Sequence, residues 1–164
     1  MSLYHRLKQQ DDLAKAVSLV NRDLLKCLCE GQFVTLCVGI WDSQARTWTY
    51  CAAGHPGGIV RAGGQVRHLD STGPLLGVLN ESDRWQARQE QFQPGDLLLL
   101  YSDGAIEAGA PTNMLGADGL AGLVRDYDGD VASLPKTILA EAASREPSAP
   151  SDDITVVAIQ VAPK

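Results

Sequence analysis

The chain has 164 residues, of which 45% are hydrophobic and 21% are charged, and its formal net charge is −6. This composition is typical of a folded globular domain and excludes a disordered chain, while the acidic balance disfavours binding to nucleic acid or to anionic membranes. No apolar run approaches the ~20 residues that cross a bilayer, and the N-terminal sequence MSLYHRLKQQDDL contains no apolar stretch of the signal-peptide type, so we expect a cytoplasmic protein.

A chain of this length is enough for one domain with its own hydrophobic core, and we predict a single domain over residues 1–164. Residues 1–3 are compatible either with a natural start or with an expression scar. The cysteines are Cys27, Cys29, Cys37 and Cys51. Because the Cys-x-Cys spacing does not match a zinc ribbon or finger, buried free thiols are favoured over a zinc site.

In chain order, the first predicted element is a helix over residues 11–29, because apolar residues recur at steps of three and four along one face. Asp11 or Asp12 would cap its start, and Gly31 suits its end. Three strand-like regions follow, at residues 33–40, at residues 47–53 and in a hairpin over residues 59–69 that turns at Gly63 and Gly64. Neither face of the first strand is charged, so we expect both faces to be covered.

The second half begins with the apolar segment 73–79, which has no clear period, and continues with 84–92, whose polar composition is typical of an edge strand. The run LLLLY at 97–101 shows no alternation, so it should be a central strand that is buried on both sides. The remaining predicted elements are a loop, helices near 117–126 and 134–144, a linker at 146–151 and a strand at 154–161. Together the pattern predicts two stacked antiparallel sheets with helices outside.

Carboxylates stand at the ends of two of these strands: Asp103 follows the run 97–101, and Asp152 and Asp153 precede the last strand. If the two strands are antiparallel neighbours, the carboxylates share one edge of the sheet, where like charges need a cation between them. Hard oxygen ligands suit Mg²⁺ or Mn²⁺, and Gly104 lets the backbone approach closely. Taken singly, each motif is more often a turn or a solvated loop.

Ser102, His55 and Asp103 are also the residue types of a hydrolase triad. Ser102 and Asp103 are adjacent on an extended segment, so their side chains diverge, and the sequence lacks a G-x-S-x-G elbow. The triad is therefore disfavoured. His55, which lies between Gly54 and Pro56, is either a turn histidine or a cleft residue, and the sequence leaves both interpretations open.

Five segments carry a family resemblance, in the order FVTLCVGIWD, TYCAAGHPGGIV, GPLLGV, PGDLLLLYSDGAIEA and SDDITVVAIQV. They are similar to bacterial PPM-type (2C-like) serine/threonine phosphatases of the sporulation stage II protein E class, from about Val17 to Val161. The resemblance implies an α+β fold, an α-β-β-α sandwich of two antiparallel sheets flanked by helices, with two Mn²⁺ or Mg²⁺ ions at one edge. It also implies hydrolysis of phosphoserine or phosphothreonine by a metal-activated water, without a side-chain nucleophile.

On this resemblance, Asp103 and Asp152 match metal-binding aspartates, and Asp153 fills the position beside them as a further metal ligand. Gly54, His55 and Gly104 match residues of the cleft or substrate-binding region. The implied substrate is a phosphorylated regulatory protein of the anti-sigma-factor-antagonist, STAS type. The other implied partner is an upstream sensor or receiver domain, with no nucleic acid and no membrane. A homodimer is a separate expectation, based on the sheet edge that absent first strands would leave unpaired.

An earlier family motif, approximately Gly-Asp-Val-Ser-Gly-His-Gly, has no counterpart in this sequence. Its aspartate bridges the two metal ions, which repel each other without an anion between them. We therefore expect an N-terminally truncated sandwich that binds one ion or none and has weak or absent activity. The alternative is a non-catalytic, phosphatase-like module for binding or dimerisation in a signalling pathway.

Overall fold

The computed structural model of the chain describes residues 12–80, 84–145 and 152–162. The chain forms two compact units, one made of Met1–Gly57 with Asp70–Gln91 and the other of Gly58–Leu69 with Phe92–Lys164. The elements in chain order are α1 (Leu13–Leu24), β1 (Leu36–Asp42), β2 (Thr47–Ala53), β3 (Gly58–Ala62), β4 (Gln65–Leu69), β5 (Arg88–Gln91), β6 (Leu97–Tyr101), α2 (Gly104–Glu107), α3 (Gly116–Asp126), a 3₁₀ turn (Val131–Ser133), α4 (Leu134–Arg145) and β7 (Val156–Gln160).

Helix α1 opens the described part of the first unit. The Asp12 carboxylate caps it by accepting hydrogen bonds from the backbone N–H groups of Ala14 at 2.9 Å and Lys15 at 3.2 Å. The helix ends at Leu24, earlier than predicted, because the N–H groups of Lys26 and Cys27 bond to carbonyls three positions back instead of four. Gly31 adopts a positive φ of 82° in a turn beyond the helix.

The sheet of the first unit has the order β1-β2-β5, and both pairings are antiparallel. Strand β5 lies at an edge, as predicted. The apolar face of α1 packs on this sheet, and the buried cluster consists of Leu13, Val17, Cys51, Ala53, Leu76 and Trp85.

The aperiodic segment 73–79 is held by specific bonds rather than by strand pairing. Val34 and Leu76 form an isolated bridge. The buried amide of Asn21 accepts a hydrogen bond from the Gly77 N–H at 2.8 Å and donates one to the Leu79 carbonyl at 2.9 Å. These contacts satisfy backbone groups that a regular strand would otherwise pair.

The sheet of the second unit has the order β4-β3-β6-β7, and each neighbouring pair is antiparallel. Strand β6 is internal, as the apolar run predicted; Leu97, Leu98 and Leu99 are buried, whereas Leu100 is half-buried. Its core also includes residues of the helices, among them Leu120, Val124 and Ile138. The Arg61 guanidinium of β3 donates to the carbonyls of Val124 and Tyr127, which ties the end of α3 to the sheet.

The predicted class, two antiparallel sheets with helices, is confirmed. The hairpin turn is also confirmed, because Gly63 and Gly64 have φ values of 56° and 78°. The loop expected after residue 101 instead contains the short helix α2. The predicted linker 146–151, Asp11 and residues 1–3 lie outside the described residues. No described helix is long and apolar enough to cross a membrane.

The four cysteines divide into two pairs by exposure. Cys27 and Cys29 are exposed in the turn after α1, so the buried-thiol interpretation is wrong for this pair. Cys51 is buried and Cys37 is half-buried. Burial, with a smaller contribution from the neighbouring Cys51, raises the pKa of Cys37 to about 11, and burial also raises the pKa of Cys51.

Alkylation should therefore separate the two pairs. With iodoacetamide at pH 8, we expect rapid labelling of Cys27 and Cys29 and slow labelling of Cys37 and Cys51, because only about one Cys37 in a thousand would be a thiolate at that pH. Peptide mass spectrometry over time measures this, with the urea-unfolded chain as the control in which all four react. Equal rates at all four sites in the folded chain would contradict the structure.

Candidate functional site

The candidate site lies where β6 ends and β7 begins. The two strands pair in register from Leu97 opposite Gln160 to Tyr101 opposite Val156. The Ser102 N–H extends this ladder by donating to the Thr155 carbonyl at 2.9 Å. Because the pairing is antiparallel, the residues after β6 and the residues before β7 stand at the same end of the sheet. The strand arrangement on which the sequence argument depended is therefore confirmed.

Asp103 occupies the turn from β6 into α2. It is the residue before the first helical position, its carboxylate accepts a hydrogen bond from the Gly104 N–H at 3.1 Å, and its side chain is exposed. The backbone carbonyl of Asp103 accepts from the N–H of Glu107 at 3.0 Å. The carboxylate is thus held near the helix start and remains accessible to solvent.

Gly104 is buried against Asp153 and Ile154, in the segment that precedes β7. A Cβ at this position would lie 2.7 Å from the carbonyl oxygen of Asp153 and 3.3 Å from its carbon. Contacts below 3.0 Å do not occur for real Cβ atoms, so a residue with a side chain would push the two segments apart. The absence of a side chain therefore allows the Asp103 and Asp153 segments to approach this closely.

Asp152 and Asp153 are both exposed before β7. The Asp152 carboxylate accepts a hydrogen bond from the N–H of the next residue, Asp153, at 2.7 Å. The Asp153 carbonyl accepts from the Ser102 hydroxyl at 3.2 Å. We call Asp103, Asp152 and Asp153 the acidic rim.

The acidic rim fits a hard divalent cation in the kind of its donors, which are carboxylate oxygens. The number of ligands is too small for a complete site, since the described part of the chain contains no group of three or more His, Cys, Asp or Glu side chains placed to hold a metal ion. The metal-ligand role of the three aspartates therefore stays a prediction.

The predicted cleft residues His55 and Gly54 belong to the first unit, whereas the acidic rim and Gly104 belong to the second. His55 is half-buried, and its Nδ1 lies 3.3 Å from the Thr35 hydroxyl. Gly54 has a φ of 62°, and its N–H donates to the Gly73 carbonyl at 2.9 Å. The loop is thus fixed by backbone geometry, and its role in a cleft stays a prediction.

Ser102 is the residue whose part in this arrangement the sequence did not reveal. Its hydroxyl bonds to main-chain atoms of Asp153 and Thr155. Neither partner is a general base, which agrees with the low weight given to a hydrolase triad. No sequence pattern signals such a contact, because its partners are backbone atoms that every residue carries.

Comparison with known proteins identifies the family. The sequence profile described as Stage II sporulation protein E (SpoIIE) matches residues 2–162. The chain belongs to the SpoIIE family. It is a PPM-type, PP2C-like phosphatase domain of the SpoIIE class, as the sequence motifs predicted.

Two curated proteins are similar to parts of the chain. Stage II sporulation protein E of Bacillus subtilis is 25% identical over 151 residues, which is 89% of this chain and 18% of the relative. Protein IcfG of Synechocystis sp. is 35% identical over 81 residues, which is 49% of this chain and 13% of the relative. The chain therefore spans less than a fifth of the length of either protein.

Solved structures of SpoIIE-like domains share the fold. The PP2C phosphatase domain of B. subtilis SpoIIE, with a fragment of its regulatory domain, has a TM-score of 0.83 at 22% identity, covering 97% of this chain and 47% of that chain. The same phosphatase domain presoaked with Mn has a TM-score of 0.72 at 23% identity, covering 99% and 74%. A Mycobacterium tuberculosis structure of RsbU and RsbW domains has a TM-score of 0.72 at 26% identity, covering 99% and 47%.

Replacing Gly104 tests the close approach at the acidic rim. We expect Gly104→Ala to lower the free energy of unfolding by about 1–3 kcal/mol, because the added Cβ overlaps the Asp153 carbonyl. Urea unfolding measures this. The matched control is Gly122→Ala in α3, where a Cβ meets only a flexible Arg125 nitrogen at 3.3 Å, so its stability should rise by up to about 1 kcal/mol. A Gly104→Ala variant as stable as the unchanged chain would show that the approach is looser than described.

Proposed function

We propose that this chain forms one phosphatase domain of the kind that hydrolyses phosphoserine or phosphothreonine on a cytoplasmic regulatory phosphoprotein of the anti-sigma-factor-antagonist, STAS type, and that the chain by itself has weak or absent activity. The observation that supports this most is the antiparallel pairing of β6 and β7, which brings the backbones of Gly104 and Asp153 into contact. An upstream sensor or receiver domain in the whole protein would control it.

The acidic rim is the part of the chain that would hold the cofactor, Mn²⁺ or Mg²⁺. When bound, the cation would supply an activated water for in-line attack on phosphorus and positive charge for the phosphoryl oxygens. The Mn-presoaked structure of the related B. subtilis domain supports the choice of metal.

The chain's own residues favour a reaction without a covalent intermediate. The Ser102 hydroxyl donates to a carbonyl oxygen instead of to a base. The carboxylates of Asp103 and Asp153 are exposed, so a phosphoprotein in solvent can reach them. Gly54 and His55, in the loop after β2, are our candidates for contact with the substrate.

A rim with fewer than three clustered ligands should bind metal weakly. We therefore expect this chain to bind at most one Mn²⁺ ion, and to bind it too weakly to support turnover. Hydrolysis of p-nitrophenyl phosphate should be slight or absent. Like charges on two ions would repel strongly without a bridging anion between them.

Removing Asp103 tests the proposed site. We expect Asp103→Ala to abolish the weak Mn²⁺ binding of the unchanged chain, because it removes a rim carboxylate. Electron paramagnetic resonance of free Mn²⁺ measures this binding. Asp118→Ala is the control, since Asp118 is also an exposed aspartate but lies on α3. Equal binding in all three proteins would count against a metal site at the rim. Robust Mn²⁺-dependent hydrolysis by the unchanged chain would refute the expected weak activity. If Asp103→Ala then removed that hydrolysis, the metal site would still be located at the rim.

A second candidate function, a non-catalytic module that forms a homodimer, is favoured by strand β1. Among the described strands, β1 pairs with β2 alone, so it forms the edge of its sheet in this part of the chain. Its side chains before Asp42 carry no charge, and Ile40 is 50% exposed. An apolar strand edge of this kind is a template for pairing with another chain.

The oligomeric state tests this second candidate. If β1 pairs with β1 of another copy, light scattering should give the mass of a dimer, and Ile40→Lys should shift it to a monomer because a charge on an edge strand opposes pairing. Val78→Lys is the control, since Val78 is 54% exposed and lies outside the sheets. A monomeric mass for the unchanged chain would rule out this dimer.

A further inference from the structure

We propose that Ser102 is a positioning residue of the acidic rim, whose hydroxyl fixes the segment that carries Asp103 against the segment that carries Asp153. The effect on metal binding rests on the proposed function. The clamp between the two segments rests on hydrogen bonds of the second unit alone.

Every polar group of Ser102 is used at this junction. Its hydroxyl oxygen accepts a hydrogen bond from the Thr155 N–H at 2.9 Å and donates one to the Asp153 carbonyl at 3.2 Å. Its backbone N–H donates to the Thr155 carbonyl at 2.9 Å, and its carbonyl accepts from the Ala105 N–H at 3.0 Å. One residue thus joins the end of β6, the start of α2 and the approach to β7.

The geometry of the turn explains why a hydroxyl is needed there. The regular ladder ends at Tyr101 opposite Val156. At Ser102 the backbone carbonyl turns to Ala105 and helix α2 instead of continuing the ladder. The Thr155 N–H would then have no ladder acceptor, and the Ser102 hydroxyl supplies one. The hydrogen of this hydroxyl is donated to the Asp153 carbonyl.

The clamp matters because, within the described residues, the carboxylates of Asp103 and Asp152 bond only to neighbouring backbone groups. Asp103 bonds to the N–H of its neighbour Gly104, and Asp152 bonds to that of Asp153. The spacing between the two strand ends therefore sets the spacing between the carboxylates. Groups that orient metal ligands without touching the metal typically change metal affinity by 10–100-fold when removed.

Removing and restoring the hydroxyl tests the proposal in the full chain. Ser102→Ala should raise the Mn²⁺ dissociation constant by about 10-fold and speed hydrogen exchange at the Thr155 amide. Ser102→Thr, which keeps the hydroxyl, should stay within about twofold of the unchanged chain, well inside that effect. Ser144→Ala is the matched control, because its hydroxyl also donates to a main-chain carbonyl, that of Glu141 at 2.7 Å, but on α4.

Amide exchange at the leucines of β6 monitors the fold in the same samples. If amide exchange is fast throughout the Ser102→Ala variant, Ser102→Cys replaces it, because cysteine keeps a similar shape with a weaker hydrogen bond. In Ser102→Cys the faster exchange should be confined to the Thr155 amide. Unchanged amide exchange at Thr155 in Ser102→Ala would overturn the proposal. Equal losses of Mn²⁺ affinity in Ser102→Ala and Ser102→Thr would do the same.

The two proposals fail in different ways. If the unchanged chain binds no Mn²⁺, or if Asp103→Ala binds it equally well, the proposed metal-dependent function is contradicted. Thr155 exchange then decides for or against the Ser102 clamp, because that measurement needs no metal.

Discussion

Antiparallel pairing between β6 and β7 determines where the acidic side chains of the second unit lie. Three of the four leucines of β6 are buried, so the hydrophobic effect holds the strand in the middle of its sheet. Pairing with β7 then brings the residues after Tyr101 beside those before Val156. Gly104 and Ser102 shape this meeting point, one by lacking a side chain and the other by bonding across it. The acidic rim thus depends on a core that contains none of its residues.

The sequence was most informative where one physical signal had no competitor. Four consecutive leucines predicted a strand that is internal to its sheet, and two adjacent glycines predicted the hairpin at positive φ. The end of α1 was wrong by several residues, because its apolar spacing continues into the turn that follows Leu24. Helix α2 escaped prediction because its four residues, GAIE, are too few to show a period and begin with glycine.

The candidate site was predictable from the sequence to the extent that it depends on which residues adjoin the ends of the strands. Asp103, Asp152 and Asp153 were found because they adjoin apolar strands, and pairing of those strands brings their segments together. The contribution of Ser102 was not predictable, since its hydroxyl contacts backbone atoms 51 and 53 positions away. The exposure of Cys27 and Cys29 was missed for a similar reason: it follows from a turn held by main-chain hydrogen bonds and by the Gln32 side chain, whose amide oxygen accepts from the Cys29 N–H at 2.9 Å.

The burial of β6 has a consequence for the unfolded chain. A short, uncharged run of leucines is the kind of segment that self-associates into cross-β assemblies when it is exposed. Here the run is bordered by Pro94 and Asp96 on one side and by Asp103 on the other, and residues of these types interrupt such stacking. Asp103 therefore stands where it would also help to keep newly synthesised or heat-denatured molecules from aggregating, a benefit that requires neither a bound ion nor a completed fold.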